Sequence, residues 1–176
     1  CAAKGFSASG VHCGIRKGRT KKDLALIFSE KKASAAAVYT TNLVKGAPLE
    51  VTKAHIADGY AQAVICNSGN ANTCNANGIE IAEKMSEITS DCLDIDAKDV
   101  VVASTGVIGQ PLDIEPIASG IPLLVANLSK DGGKDASEAI MTTDTVKKEI
   151  AVEFEIDGKI CHMGGIAKGS GMIHPN

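Results

Sequence analysis

Three short, uninterrupted apolar runs limit what this chain can fold into. They are Leu24 to Phe28 (bounded by Asp23 and Ser29), Ala63 to Cys66 in the predicted strand Gln62 to Cys66, and Val100 to Ala103 in the predicted strand Asp99 to Ala103. Each has the length of a strand, and such runs fit strands buried in a sheet. Between the second and third lies a segment of helical period. From about Ile79 to Cys92, the residues Ile81, Met85, Ile88 and Cys92 recur at helical spacing and form one apolar stripe. Strands therefore alternate with helices.

The remaining elements follow the same rules. Residues 5–15 predict a strand with glycine bends near its ends, and Ala35 to Thr41 a further strand after a charged turn at Glu30 to Lys32. Pro48 suits the first turn of a helix running to about Ala57. A helix over Asp113 to Asn127 places Ile114, Ile117, Ile121, Leu124 and Leu128 on one side. Pro116 fits its first turn, whereas Gly120 and Pro122 are expected to kink or interrupt it. A shorter helix is expected over Asp135 to Met141. Glu149 to Ile156 alternates, with Ile150, Val152, Phe154 and Ile156 on one face. Asp157-Gly158 is a strong type I′ turn signal, and Lys159 to Met163 returns as the partner strand. An alternating pattern that closes in a hairpin fits a layered α/β domain better than a doubly wound sheet.

Aromatic residues make up only 3% of the chain and tryptophan is absent, so the core must be built from Ala, Val, Ile and Leu. The net charge of −3 gives no long-range attraction for nucleic acid. The basic run Arg16, Lys17, Arg19, Lys21, Lys22 has no interleaved aromatics and reads as a solvated loop. Six scattered cysteines, with no CxxC, read as reduced, cytosolic thiols. No run reaches the length of a membrane span and no signal peptide is visible. The chain does not begin with Met, so residues before Cys1 are expected to have been removed or left out.

Complete catalytic motifs are absent from the sequence. Gly132-Gly133-Lys134 is not a P-loop, Gly169-Ser170-Gly171 is not a dinucleotide fingerprint, and the histidines lack metal spacing. What the chain offers is a strand ending in Ser104-Thr105-Gly106, where a hydroxyl beside a glycine N–H can receive a developing oxyanion. The plain alternative is a strand-ending turn. Lys168, flanked by small residues, can meet a substrate carboxylate or simply lie exposed. The Thr-rich run 142–145 suits a helix end or a polar pocket equally. Residues 67–78 hold five asparagines and two glycines, a composition suited to an elaborate strand-to-helix connection or to a ligand loop. The glycine-rich tail from Gly164 to Asn176 looks like the interior of a domain cut at a chosen place. A cut beyond Asn176 would give a following chain a new α-amino group beside its first side chain.

Taken together, these segments identify a family. The chain resembles the α subunit of the ornithine acetyltransferases, or glutamate N-acetyltransferases, of arginine biosynthesis. The resemblance rests on Gly5-Phe6 with Gly10-Val11, on Asp23 to Ile27, on Tyr39 to Asn42 and on Asn67 to Asn72. It continues through Ala103 to Gly109 and Met141 to Thr145, and closes with Ala167 to Ile173.

The resemblance implies an α/β sandwich akin to, but distinct from, the N-terminal-nucleophile hydrolases. It also implies that residues 1–176 form a single α-subunit domain completed by a β subunit from the same self-cleaved precursor. The β subunit would begin with the nucleophilic threonine, in an α2β2 assembly. Thr105 and Gly106 are then the oxyanion pair, and Thr145 (with Thr143 as the alternative) and Lys168 are substrate-binding. The implied reaction moves the acetyl group of N2-acetylornithine to glutamate through an acetyl-threonine, with no metal or bound cofactor. Use of acetyl-CoA as a further donor stays open. Two rivals share the architecture or the chain: a self-processed aminopeptidase or amidohydrolase, and a non-catalytic scaffold subunit.

Overall fold

The structure, a computed structural model, describes residues 2–171. The expectations that fall on Cys1 and on residues 172–176, Met172 and Ile173 among them, lie outside it. Four strands form one sheet in the order β1-β2-β3-β4. β1 (Phe6–Val11) pairs antiparallel with β2 (Leu24–Ser34), and β2 pairs antiparallel with β3 (Tyr60–Asn67). β3 lies parallel to β4 (Val100–Ser104). A parallel pair needs a crossover, and the helix α2 (Gly78–Leu93) supplies it.

The strand period sorts the core onto one face. Leu24 and Leu26 of β2, Ala63 and Ile65 of β3, and Val100 and Val102 of β4 are buried together. Three helices cover them: α1 (Ala47–His55), α2 and α3 (Glu115–Ala126). They contribute Val51, Ile81, Met85, Ile117, Ile121 and Leu124 to the same core. Burying a Leu or Ile side chain in this way stabilises the fold by about 1.5–3 kcal/mol.

The opposite face is covered unevenly. A fourth helix, α4 (Gly133–Ala139), packs Ala136 and Ala139 onto Ala8 and Ala25. The rest of that face, including Gln62, Val64, Cys66, Val101 and Ala103, is only half-buried. β5 (Lys148–Ile156) and β6 (Lys159–Ala167) form a separate antiparallel hairpin. Its turn residues Asp157 and Gly158 have φ of 50° and 73°, the type I′ geometry expected from their sequence. The expected apolar face of Ile150, Val152, Phe154 and Ile156 exists, yet Ile150 is 70% and Ile156 54% exposed.

Several local expectations are corrected. Ala35 to Thr41 is not a strand. Ala35 N–H reaches the Gly59 carbonyl at 2.8 Å, and beyond it the segment lies alongside no strand, so Val38 and Leu43 are exposed. Glu30 to Lys32 is not a turn but part of β2, in an irregular stretch between Phe28 and Ala33. Its charges are accommodated there because Lys32 Nζ pairs with Asp99 at 2.6 Å and Asp58 at 3.6 Å.

α3 runs without interruption past Gly120 and Pro122. Pro122 faces outward, while Ile117, Ile121 and Leu124 hold the helix to the core. Gly120 instead permits close approach, since a Cβ there would lie 2.7 Å from Cys13 Cβ. Cys92 is exposed, and the buried stripe of α2 ends in Thr89 and Ser90, whose hydroxyls bond backward to the Met85 and Glu87 carbonyls.

Candidate active site

β3 and β4 end side by side at Asn67 and Ser104, and a chain of asparagines holds the loop that follows. The buried Asn67 accepts from the N–H groups of Gly69 and Asn70 at 3.1 and 3.0 Å and donates to Ser104 Oγ at 2.7 Å. Asn70 accepts from Asn72 N–H at 2.8 Å and donates to the Gln110 carbonyl at 2.9 Å. Asn72, at φ 49°, donates to the Gly78 carbonyl at 2.7 Å. Short polar side chains that tolerate the left-handed region are what such consecutive turns need. These three amides are engaged in holding their own loop.

That rigid loop lies against the segment after β4. Thr105 N–H donates to the Asn67 carbonyl at 2.9 Å, Val107 N–H to Gly69 at 3.3 Å, and Ala71 N–H to Val107 at 2.8 Å. Gly106 sits between them at φ 129°, and a Cβ there would fall 2.5 Å from the Gly69 carbonyl carbon and oxygen. Glycine is required by this backbone contact alone. Among the described residues, neither the Thr105 hydroxyl nor the Gly106 N–H has a hydrogen-bond partner. Two adjacent donors thus stand available at the carboxyl end of a parallel strand pair, where α/β sheets commonly take ligands.

A second group of residues surrounds the turn between α4 and β5. A cavity of about 180 Å³ is lined there by Arg16, Lys22, Met141, Thr142, Thr145 and Lys147, among others. Thr145 lines this cavity together with Thr142; Thr143 does not. Lys168 does not line it either. Its Nζ donates to the Gly169 carbonyl at 2.7 Å and is half-buried. Burial pushes the Cys66 thiol up to about 12, with the charge of Lys168 acting in the opposite direction.

Asp144 joins the turn of Thr142 to the segment of Lys168 and Gly169. Its Oδ1 accepts from Gly169 N–H at 2.5 Å and Lys148 Nζ at 2.7 Å, and its Oδ2 from Thr142 N–H at 3.2 Å. Lys148, followed by these amides, holds its carboxyl well below the usual carboxylate range. The structure thus connects the turn of Thr145 to the segment of Lys168 without placing the two side chains in one cavity.

The basic run is not wholly solvated. Arg16 Nε donates to the Ser68 carbonyl at 2.8 Å, and its Nη2 to Ser68 Oγ at 2.6 Å and to the Met141 carbonyl. Lys22 Nζ pairs with Asp135 and lies 3.5 Å from Glu138. Sequence reasoning missed Asp144 and Arg16. The only signals were an acid inside a threonine run and a glycine two residues before Arg16. A larger cavity of about 340 Å³, lined by Ala8, Ile27, Ala136, Ile150 and Ile166 among others, includes none of the four candidate residues. Among the described residues, no three His, Cys, Asp or Glu side chains gather to hold a metal ion. No helix of the described residues is long and apolar enough to cross a membrane.

A model of the ArgJ family matches residues 7–176. The chain belongs to the ArgJ family.

Its similarity to members of this family is high. It is 53% identical over 174 residues to the arginine biosynthesis bifunctional protein ArgJ of Caldanaerobacter subterraneus, covering 98% of this chain and 43% of that protein. To the ArgJ of Bacillus anthracis it is 49% identical over 175 residues, covering 98% of this chain and 42% of the relative. The chain thus spans less than half the length of these curated relatives. A crystal structure of ArgJ from Bacillus halodurans superposes with a TM-score of 0.91 at 45% identity, covering 99% of this chain and 91% of that one. Ornithine acetyltransferase from Mycobacterium tuberculosis, complexed with ornithine, superposes with a TM-score of 0.89 at 36% identity, covering 99% and 93% of the two chains. The α/β fold expected from the sequence is the fold of these ArgJ structures.

Proposed function

We propose that this chain is the α part of a self-processed acetyltransferase that moves an acetyl group from N2-acetylornithine to glutamate. The observation that carries this reading is the match over nearly the whole chain to an ornithine acetyltransferase solved with ornithine bound. The site supports it, because the Thr105 hydroxyl and Gly106 N–H are adjacent and without partners among the described residues.

In the proposed cycle a β chain contributes an N-terminal threonine. Its hydroxyl oxygen attacks the acetyl carbonyl, and its α-amino group takes the proton. The carbonyl oxygen gains negative charge and is met by Thr105 and Gly106. Collapse breaks the amide bond, the proton passes to the leaving amine, and ornithine departs. The amine of glutamate then attacks the acetyl-threonine ester and carries the acetyl group away. Lys168 and Thr145 hold the amino-acid part of both substrates. The partner would cover the half-buried sheet face and the exposed hairpin, and an α2β2 assembly in the cytosol is the expected setting. The test uses the full-length protein carrying this chain. Intact mass should reveal a partner beginning with threonine, and labelled acetyl should pass from acetylornithine to glutamate. Release of the label as free acetate alone would instead make the protein a hydrolase.

A further inference from the structure

We propose that Asp144 is a positioning residue that sets Lys168 and the turn of Thr142 and Thr145 for the substrate. The proposal rests on the acetyltransferase reading and names a residue of that same site. One carboxylate accepts backbone N–H groups from two segments separated by the whole β5–β6 hairpin, Thr142 on one side and Gly169 on the other. The side chain is only 2% exposed, so both contacts are sheltered from water. Thr142 lines the cavity with Thr145, and Gly169 directly follows Lys168. A shift of either amide therefore moves a group proposed to touch the substrate.

Gly169 gives independent support. Its φ is not in the left-handed region, so its backbone makes no demand for glycine. A Cβ at 169 would nonetheless lie 2.6 Å from Asp144 Oδ1. The absent side chain is explained by the carboxylate beside it. The ion pair to Lys148 anchors the carboxylate from a third direction, and Lys148 itself is substantially exposed. Hydrogen bonds to a charged acceptor are short and directional, which suits a part that fixes geometry. Displacing a group that holds the substrate equally in its ground and transition states raises KM and leaves kcat largely unchanged.

The experiment uses the full-length, processed enzyme and follows KM, kcat and thermal stability separately. Asp144→Ala should raise KM for both acetylornithine and glutamate by about tenfold or more, with kcat changing much less. Gly169→Ala should reproduce that signature by displacing the carboxylate. The double variant should be no worse than Asp144→Ala alone, because the two changes disturb one contact. Lys148→Met removes one anchor but leaves both amide contacts, and should raise KM by less than Asp144→Ala does. Asp144→Asn replaces the alanine variant if the latter does not fold. An unchanged KM in a folded Asp144 variant, or additive effects in the double variant, overturns the proposal. Wild-type enzyme without acetyl exchange overturns the acetyltransferase reading, and this proposal with it. Active wild type with an indifferent Asp144 overturns the positioning role only.

Discussion

The backbone N–H of Thr105 donates to the Asn67 carbonyl at 2.9 Å, which leaves the hydroxyl as the donor of Thr105 without a partner among the described residues. An oxyanion forms only as the carbonyl is attacked, so such a donor favours the transition state over the ground state. Thr105→Ala should depress kcat by about a hundredfold or more, with little change in KM. Single-turnover acetylation of fully processed enzyme checks this, and a wild-type rate would reduce Thr105 to a turn residue. Because the N–H bond to Asn67 survives the substitution, the local backbone should remain in place.

Gly106 carries a different expectation. Its contact with the Gly69 carbonyl group means that any side chain is excluded by backbone, before a substrate is considered. The positive φ adds strain for any other residue, on the order of 1–3 kcal/mol. Gly106→Ala should lower Tm as well as activity, and valine should be worse. A thermal scan showing wild-type Tm for Gly106→Ala would mean that the Asn67–Asn72 loop yields easily.

Lys168→Met should raise KM for acetylornithine and glutamate alike. Losing one charge-assisted contact costs about 1.5–3 kcal/mol, roughly ten- to a hundredfold in kcat/KM. Processing must be verified by gel first, because Lys168 lies close to the proposed cleavage point. Wild-type kinetics in the processed variant would leave Lys168 with its observed bond to the Gly169 carbonyl and no more.

Expressed by itself, the chain should aggregate or remain molten. Ile150, Ile156 and Met163, on one face of the hairpin, are each more than half exposed. Exposed apolar surface of this extent on strands marks a face that needs covering. Sedimentation and calorimetry of residues 1–176 alone check the point. A cooperative unfolding transition of a monomer would contradict it.

The sequence disclosed the sheet well, and the reason is burial. Leu24 to Phe28, Ala63 to Cys66 and Val100 to Ala103 leave readable runs because one side of each strand is buried in the core and the other is at least half-covered. Ala35 to Thr41 misled because β-branched and aromatic residues record a capacity for pairing, while a strand also needs a partner. Period likewise showed that Ile150, Val152, Phe154 and Ile156 share a face, but not that the face lies open. Pro122 could not be judged without knowing that it points outward from α3. The strand end at Ser104-Thr105-Gly106 was legible because strand-end motifs are local. Asp144 was not, because its acceptance from Gly169 spans a hairpin that no short window contains. Arg16 was lost inside a charge run, since its bonds to Ser68 and Met141 are equally non-local.

The tight turn at Asp157-Gly158 also sets an order of events during folding. A hairpin joined by a two-residue turn needs only neighbouring residues and forms in about 1–10 μs. The main body must first bring together distant partners, such as Ser9 Oγ and the Leu124 carbonyl, 115 residues apart. Closing loops of that size is slow relative to local pairing. Local pairing is therefore open to the hairpin before its neighbours are in place, and its uncovered apolar strands then face a wrong partner as readily as the right one.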